Sequence, residues 1–364
     1  MKLLVLANLD MGLYKFRKEL METLCSKNEV IVATPHGEYY DALQKLGCEM
    51  VDFEFNRRGM NPLSDTGQLF RYVKLIRSEH PDLVLTYTVK PNVYGGMACQ
   101  LTHTPYLANV TGLGTSIENG GVLGKLTVFL YRLGLRKANC VFFQNSANLG
   151  LFAKRKVVGE NRRLVSGSGV NIQVHQYEPY PDEGNGIRFL FVGRIMKDKG
   201  VEELFEALRI IHKRHSEVSA DIVGFCDEDY SAQLKRCERE GFLRFHGTQD
   251  NVHAFYANAH CTVLPSYHEG TANVMLESAS TGRPVITTRV PGCKETFDEG
   301  VTGFGCEAKS VDSLVEAMEK FLSLSHEEKE RMGHAGREKM IREYDRQKVI
   351  DAYLEEIEKV MVKK

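Results

Sequence analysis

Short apolar runs alternate with longer amphipathic stretches along most of the chain. In the first half, six runs have the length and composition of buried strands: Leu3–Ala7, Val30–Ala33, Met50–Phe53, Leu83–Thr86, Tyr106–Val110 and Val141–Gln144. A second series begins at Ile187 and comprises Phe189–Val192, Ser219–Val223, Leu243–His246, Cys261–Leu264 and Val285–Thr288. Because strands that alternate with helices form parallel sheets covered on both faces, this pattern predicts an α/β fold.

A segment rich in proline, glycine and acidic residues separates the two series. It extends from Tyr177 to Gly186, and its composition is typical of an interdomain linker. A chain of 364 residues that is 43% hydrophobic can bury two cores. We therefore predict two Rossmann-like domains, over residues 1–175 and 186–340, with ligands at the carboxyl ends of their strands.

The end of the chain predicts an amphipathic helix. Between residues 349 and 361 the apolar positions follow helical spacing: Ile350, Tyr353, Leu354, Ile357 and Met361. Such a helix requires a surface to pack on, because its apolar stripe would otherwise be exposed to water.

Charge and cysteine content exclude some classes of protein. The net charge of −1 argues against a nucleic-acid-binding protein. Residues 1–172 nevertheless carry 21 Lys and Arg against 14 Asp and Glu, which indicates either an anionic partner or merely a differently solvated surface. Nine cysteines without a C-x-x-C pair favour free thiols in a reducing cytoplasm. The N-terminal apolar stretch is too short for a signal peptide, and no apolar run has the length of a membrane span.

The segment Pro265–Glu277 places two carboxylates eight positions apart, across the junction of a loop and a helix. The loop follows a strand, and helical composition begins at about Asn273. N–H groups at the start of a helix, together with the helix dipole, favour an anion such as a diphosphate. Glu269 would then face a sugar, and the Glu277 carboxylate could accept from a pair of ribose hydroxyls. Two isolated glutamates would more often be solvated side chains, so the prediction depends on the whole segment.

A second chemical signal occurs where a strand leads into Gly193, Arg194 and Lys199. Glycine lets the backbone approach a ligand, the guanidinium group offers a planar fork of donors for phosphate oxygens, and the ammonium group adds a point charge. Cations beside a glycine often only cap a turn. Their position ahead of the glutamate pair favours a diphosphate site.

Both segments resemble the donor motifs of the retaining GT-B glycosyltransferases of the GT4 family. In that family the first is written P-S-x-x-E-G-x-x-x-V-x-x-E-A, where this chain has Ser278 instead of the final alanine, and the second V-G-R-x-x-x-x-K-G. The resemblance implies two Rossmann-like domains facing a cleft, with the C-terminal helix, residues 345–364, crossing back onto the first domain. It also implies catalytic roles for Glu269, Arg194 and Lys199, and donor binding by Gly193, Thr271, Asn273, Val274 and Glu277.

Two further segments resemble other parts of a GT4 donor site. His246 and Gly247 follow a strand and resemble the segment that seats the nucleotide base, although a histidine there could equally end a strand without a ligand role. The loop with Gly12, Tyr14 and Arg17 resembles one that contacts donor and acceptor. The resemblance implies that Gly12 binds the donor and that the other two residues bind the acceptor. A glycine-containing turn before a helix would look the same.

The loops Lys90–Gly96 and Asn109–Thr115 resemble loops of bacterial GT4 enzymes that extend glycans on a polyprenyl-diphosphate carrier. The resemblance implies that Asn92, Thr111 and Gly112 bind the acceptor. Many GT4 members carry a histidine in the second loop, and this chain has Thr111 and Gly112 instead, so we assign no catalytic histidine.

The triplet Asp227-Glu228-Asp229 could suggest a metal site, since D-x-D binds divalent cations in a different glycosyltransferase fold. Here the triplet opens a predicted helix, where acidic residues are favoured in any case. We therefore predict neither a metal nor another cofactor.

The stretch Gly121–Lys137 predicts an amphipathic helix with cations at the edge of its apolar arc. The arc comprises Val122, Leu123, Leu126, Phe129, Leu130 and Leu133, and the cations are Lys125, Arg132 and Arg136. An interfacial helix on anionic lipid would have this pattern, and so would a helix packed on a core. Both explanations stay open, although the nearby Lys154–Lys156 favours a membrane surface.

Together with these patterns, the resemblance to the GT4 family implies a retaining, metal-independent hexosyl or N-acetylhexosaminyl transferase. It would move a sugar from a nucleoside diphosphate, UDP in our prediction, to a hydroxyl of a growing glycan in capsular polysaccharide, O-antigen or protein-glycan assembly. The acceptor would be linked to a polyprenyl diphosphate, and the enzyme would be cytoplasmic, at the inner face of the cytoplasmic membrane. The alternatives are a non-hydrolysing UDP-sugar 2-epimerase and a non-catalytic UDP-sugar-binding partner subunit.

Overall fold

The computed structural model of the protein describes residues 1–54, 62–112, 117 and 121–362. It divides into two compact units. The first comprises Met1–Ser168 and Val349–Lys364, and the second comprises Gly169–Lys348.

The first unit is built on a seven-stranded parallel sheet with the strand order β3-β2-β1-β4-β5-β6-β7. Its strands are β1 (Lys2–Leu6), β2 (Glu29–Thr34), β3 (Glu49–Asp52), β4 (Leu83–Tyr87), β5 (Tyr106–Val110), β6 (Cys140–Phe143) and β7 (Arg162–Leu164). Its helices are α1 (Asp10–Cys25), α2 (Tyr40–Lys45), α3 (Pro62–Glu79), α4 (Gly96–Thr102), α5 (Gly121–Leu135) and α6 (Ser146–Lys154). A π-helical turn at Pro91–Gly95 precedes α4.

The second unit contains a six-stranded parallel sheet with the order β10-β9-β8-β11-β12-β13. Its strands are β8 (Arg188–Val192), β9 (Ser219–Val223), β10 (Leu243–Phe245), β11 (Cys261–Leu264), β12 (Val285–Thr288) and β13 (Gly303–Cys306). Its helices are α7 (Val201–Arg214), α8 (Ser231–Arg239), α9 (His253–Asn258), α10 (Asn273–Ser280), α11 (Val311–Leu322) and α12 (His326–Lys339). The predicted α/β class with two parallel-sheet, Rossmann-like domains is confirmed.

The last helix, α13 (Arg346–Val362), packs its apolar side against the first unit. The ring of Tyr353 stacks on Phe142 of β6 with centroids 4.3 Å apart, and the Tyr353 hydroxyl donates to Asn109 of β5. The amphipathic stripe predicted from sequence therefore covers the first sheet, as expected for a helix that must bury one face.

The proposed linker Tyr177–Gly186 does not separate the units, because it belongs to the second one. The buried Arg283 donates to the carbonyl oxygens of Glu178 and Pro179, at 2.9 and 2.7 Å, and the buried Tyr180 donates to His260 O. The division falls at Ser168 and Gly169 rather than at residues 175–186, and the second unit extends to Lys348 rather than to residue 340. The composition of the segment is typical of a linker. It could not reveal that Arg283, distant in the sequence, satisfies the carbonyl groups of the segment and holds it against the second unit.

Each sheet has one point at which the strand order reverses. It lies between β1 and β4 in the first unit and between β8 and β11 in the second. Loops that follow the two flanking strands diverge at such a point and leave a crevice, which is where open α/β sheets bind ligands. The sequence motifs follow these strands in both units.

Candidate functional site

Two loops meet at the reversal point of the second sheet. The cationic loop, Gly193–Gly200, follows β8, and the glutamate loop, Pro265–Ala272, follows β11. The two strands are paired in the sheet. The Tyr267 N–H donates to Asp198 O at 2.9 Å. Gly200 has φ of +69°, and a Cβ there would collide with the carbonyl oxygen of Pro265. Only glycine permits this approach, so the second glycine of the cationic loop fixes that loop against the glutamate loop.

The predicted catalytic residues are paired with carboxylates. The Lys199 ammonium group donates to the Glu269 carboxylate, and these side chains are only 18% and 15% exposed. Arg194 donates to Asp227 at 2.8 Å and remains about half exposed. The structure thus brings Glu269 and Lys199 into direct contact. It also gives Arg194 a partner, Asp227, to which sequence assigned no role at the site.

A third loop, after β12, supports the glutamate loop. Gly292 has φ of +85°, its carbonyl oxygen accepts from Ala272 N at 2.8 Å, and a Cβ at Gly292 would collide with Glu269 O. Sequence analysis did not single out this glycine. The dipeptide Pro291-Gly292 directly after a predicted strand is a turn signal that could have found it.

The helix α10 begins at Asn273, as predicted, directly after the glutamate loop. Its N-cap residue is Ala272, whose side chain cannot accept from the first N–H groups of the helix. Thr271 is buried, and Val274 lies in the first turn. The side-chain oxygen of Asn273 is shielded from solvent and has no hydrogen-bond partner among the described residues. A helix start with these properties suits a ligand that carries phosphate and hydroxyl groups.

Glu277 is held by a buried tyrosine on α9. The Tyr256 hydroxyl donates to Glu277 at 2.8 Å, and the Tyr256 ring is fully buried. Burial and the adjacent carboxylate raise the pKa of Tyr256 well above its ordinary value, so the phenol remains a neutral donor. The hydroxyl therefore fixes one carboxylate oxygen of Glu277. No pattern around Tyr256 distinguishes it from an ordinary core tyrosine, which is why sequence analysis missed it.

Glycines occupy the ends of three neighbouring strands in this sheet. Gly193 N donates to Val223 O at 2.9 Å, and Gly224 N donates to Gly247 O at 2.8 Å. A Cβ at Gly224 would collide with the Gly193 carbonyl oxygen. The carboxyl ends of β8, β9 and β10 therefore present a backbone surface without side chains, which a ligand could approach closely.

His246 takes a different place from the other predicted donor residues. Its Nε2 lies 2.7 Å from Asp221 Oδ1, and its ring packs edge-on against Phe255, with centroids 4.8 Å apart. These groups line a cavity of about 610 Å³ together with Arg188 and Arg244. Among the described residues that line this cavity, none is another predicted donor residue. These contacts are those of a histidine that ends a strand and is held by Asp221, which is the second of the two explanations given for His246 above.

Arg17 is a buried cation at the ends of the first unit's strands. It is 5% exposed, and its guanidinium carbon lies 5.7 and 5.6 Å from the ring centroids of Tyr87 and Tyr353. With the Gln144 amide oriented to satisfy both neighbours, its oxygen accepts from Arg17 at 2.9 Å and its nitrogen donates to Thr111 O. No carboxylate of the described part of the chain pairs with Arg17. The aromatic rings of Tyr87 and Tyr353 therefore stabilise the positive charge of Arg17 through cation–π contacts.

The other predicted acceptor residues differ in how accessible they are. Asn92 is fully buried, accepts from Thr86 of β4 and donates to Asn109 O of β5, both at 2.7 Å, so its side chain joins two strands. Tyr14 stacks on Tyr39 at 5.1 Å and is partly exposed. Gly12 and Gly112 are also partly exposed. The remainder of the predicted loop, residues 113–115, lies outside the described residues.

The apolar arc of α5 faces outward. Val122 is 86% exposed, and the other large apolar side chains that are exposed are Leu123, Leu126, Phe129 and Leu133. The helix packs inward through smaller or aromatic residues, among them Gly124, Thr127, Val128, Tyr131 and Gly134. A Cβ at Gly96 of α4 would collide with Gly134 O. Core packing therefore does not explain the arc, except at Leu130, which is partly buried. None of the described helices is both long and apolar enough to span a membrane.

Known protein families match both units. Residues 178–339 match the family described as glycosyl transferases group 1, and residues 2–145 match the family described as glycosyl transferase 4-like. The two matches together cover most of the chain. They include the glutamate and cationic loops in one family and the Gly12, Asn92 and Thr111 segments in the other.

Individual relatives are also named as glycosyltransferases. The chain is 27% identical to the N,N'-diacetylbacillosaminyl-diphospho-undecaprenol alpha-1,3-N-acetylgalactosaminyltransferase of Campylobacter jejuni, over 92% of each chain. It is 26% identical to the capsular polysaccharide biosynthesis glycosyltransferase CapM of Staphylococcus aureus, over 80% of each. Anabaena Alr3699/HepE, solved with UDP and glucose, shares the fold with a TM-score of 0.82 at 17% identity, over 98% of this chain and 99% of that one. The chain is therefore a glycosyltransferase, composed of a glycosyl transferase 4-like domain and a glycosyl transferases group 1 domain.

Proposed function

We propose that this glycosyltransferase moves a hexosyl or N-acetylhexosaminyl group from UDP, with retention of configuration, to a hydroxyl of a lipid-linked glycan in bacterial polysaccharide or glycan assembly. The observation that carries the proposal is the contact between Lys199 and Glu269 at the reversal point of the second sheet. In this proposal Lys199 is the cation that serves the leaving diphosphate, and Glu269 is the carboxylate that serves the sugar. The UDP and glucose in the HepE structure and the undecaprenol-linked substrate named for the Campylobacter relative support the choice of donor and acceptor.

The donor diphosphate would lie between the cationic loop and the start of α10. Arg194 and Lys199 would neutralise the negative charge that accumulates on the leaving diphosphate, and the uncapped N–H groups of α10 would add to this effect. In this proposal the positive charge comes from the chain itself, and we assign no metal. The side-chain oxygen of Asn273 offers an acceptor for a hydroxyl of the donor. Glu277, fixed by Tyr256, would accept from the ribose hydroxyls.

The transfer would occur on one face of the sugar. The bond between the anomeric carbon and the diphosphate oxygen breaks, with its electron pair leaving on UDP. The acceptor oxygen forms its bond to the anomeric carbon on the same face. A phosphate oxygen takes the acceptor proton, and Glu269 orients the sugar. Front-face displacement of this kind retains the anomeric configuration.

The first unit, which would bind the acceptor, would contact a membrane surface through α5. The exposed apolar face of α5 and the cations along its edge, Lys125, Arg132 and Arg136, match the two parts of an anionic bilayer interface, acyl chains and negative headgroups. We place this face on the inner side of the cytoplasmic membrane, where a polyprenyl-diphosphate-linked acceptor would be embedded.

The proposal is tested by offering the enzyme a panel of donors and acceptors. UDP-glucose, UDP-galactose and their N-acetylamino counterparts are each incubated with short-chain polyprenyl-diphosphate-linked sugars. The anomeric configuration of the product is then determined by NMR. An α-linked product from an α-linked donor is expected. An inverted product would contradict the proposed mechanism, and conversion of a UDP-sugar without any acceptor would identify an epimerase instead.

A further inference from the structure

A basic pocket lies in the first unit, apart from the loops at the reversal point of its sheet. It has a volume of about 680 Å³ and is lined by the end of α5, the segment after α6 and the start of β7. Its cationic side chains are those of Arg132, Arg136, Lys156 and Arg162. Among the described residues that line it, Glu160 is the only one with a carboxylate. The volume is in the range of small-molecule sites.

Backbone carbonyl groups, rather than acids, orient two of these cations. Arg132 donates to Arg155 O and Arg162 donates to Gly159 O, each at 2.6 Å. A carbonyl oxygen fixes the position of a guanidinium group without cancelling its charge. Each guanidinium group therefore keeps further N–H donors for a bidentate anion.

The other two cations have no counter-charge in the described part of the chain. Arg136 and Lys156 are exposed, and neither forms an ion pair there. Glu160 lies 3.6 Å from Arg162, but its side chain is 97% exposed, so this ion pair is weak. The pocket therefore carries an excess of positive charge in a concave site.

The pocket is continuous with the exposed face of α5. Arg132 follows Phe129 by three residues, so it lies one helical turn from that exposed side chain, and Arg136 follows the exposed Leu133 by three residues, directly after α5 ends. If Phe129 and Leu133 contact acyl chains, the guanidinium groups reach the level of the headgroups, where the phosphates of lipids lie.

We propose that the basic pocket binds a phosphate or diphosphate group. The proposal rests on the proposed function, because that function supplies a membrane and a diphosphate-linked acceptor. The ligand chemistry is a phosphate or diphosphate that can accept from two oriented guanidinium groups. Its source is either the headgroup of an anionic lipid or a diphosphate outside the bilayer.

Binding of inorganic pyrophosphate to the full chain tests the pocket directly. In Arg136→Glu/Lys156→Glu two pocket cations become acids. The matched control, Lys137→Glu/Lys154→Glu, makes the same charge change at exposed neighbours that do not line the pocket. Both variants retain the donor loops, which contribute equally to binding. By calorimetry at low ionic strength, the pocket variant should bind at least about tenfold more weakly than the control. Equal affinities in the two variants would overturn the proposal.

Vesicles distinguish the two sources. If the pocket binds lipid headgroups, the pocket variant should float with phosphatidylglycerol vesicles much less than the control, and pyrophosphate should displace the wild-type protein. If both variants float equally while only the pocket variant loses pyrophosphate, the ligand is a diphosphate outside the bilayer. Sugar transfer to a water-soluble acceptor depends on the second unit's loops, so its loss or survival reports separately on the proposed function.

Discussion

At the scale of single residues, the candidate site depends on glycines as much as on charged side chains. Lys199 and Glu269 contact each other because Gly200 admits Pro265 O and Gly292 admits Glu269 O. Motif spacing predicted the two charged residues. It could not predict the contacts of Asp227 and Tyr256, because each lies on a segment that only the folded sheet brings to the motif.

We predict that Gly292→Ala disturbs the position of Glu269. Gly300→Ala is the matched control, since Gly300 also has a positive φ, +71°, but open space where a Cβ would stand. The control should lose about 1–2 kcal/mol from its left-handed backbone alone and keep its turnover. Gly292→Ala should lose more stability and at least about tenfold in kcat, because the Glu269 backbone must move. Denaturant unfolding and steady-state rates measure both effects, and indistinguishable variants would contradict the assigned role of Gly292.

At the scale of secondary structure, α5 makes the clearest prediction. Val122→Glu/Phe129→Glu should greatly reduce binding to phosphatidylglycerol vesicles, because two exposed apolar side chains would become charged. Val174→Glu/Val301→Glu changes two similarly exposed valines of the second unit and should bind as the wild type does. Vesicle flotation measures the difference. Equal binding by the two variants would show that the apolar face of α5 does not contact lipid.

The junction of β8 and β11 should give the second unit a dependence on pH. His260 Nδ1 accepts from Arg188 N at 3.0 Å, and burial lowers the pKa of His260. The folded state resists protonation of His260, whereas the unfolded state does not. The stability that neutral His260 contributes is therefore present above about pH 6.5 and declines as the pH falls further. The free energy of unfolding, measured between pH 7 and pH 5, should fall less for His260→Asn than for the wild type. The exposed His80→Asn should follow the wild type, and parallel curves for all three would refute the role of His260.

Sequence periodicity predicted most strands because their residues are apolar and buried, and two exceptions show its limits. β7 (Arg162–Leu164) contains two arginines and lies at the edge of the sheet, so it has no apolar run. β13 contains Gly303 and Gly305, and glycine weakens a strand signal. At Gly303 the glycine is required, because a Cβ there would collide with Val285 O of the neighbouring strand. Both strands lie at an edge of their sheet.

At the scale of the whole molecule, the alternation of strands and helices was sufficient to predict two Rossmann-like domains. The division between them could not be predicted, because the segment with linker composition is held by Arg283, about 100 residues later in the chain. The two units also differ in the side chains that they present. The second unit carries the cationic loop and the glutamate loop, and the first carries a buried cation, an exposed apolar helix and a basic pocket.

The turnover of Lys199→Ala tests the central claim most directly, which is that the cationic loop of the second unit stabilises the departing diphosphate. Lys197→Ala is the matched control, since Lys197 lies in the same loop but is 62% exposed and pairs with Glu202. Measured with the best UDP-sugar, kcat of Lys199→Ala should fall by about 100-fold or more, with a much smaller change in the Kd for UDP. Lys197→Ala should retain its turnover to within about threefold, as expected for a surface ion pair. Wild-type turnover by a folded Lys199→Ala enzyme would contradict the account.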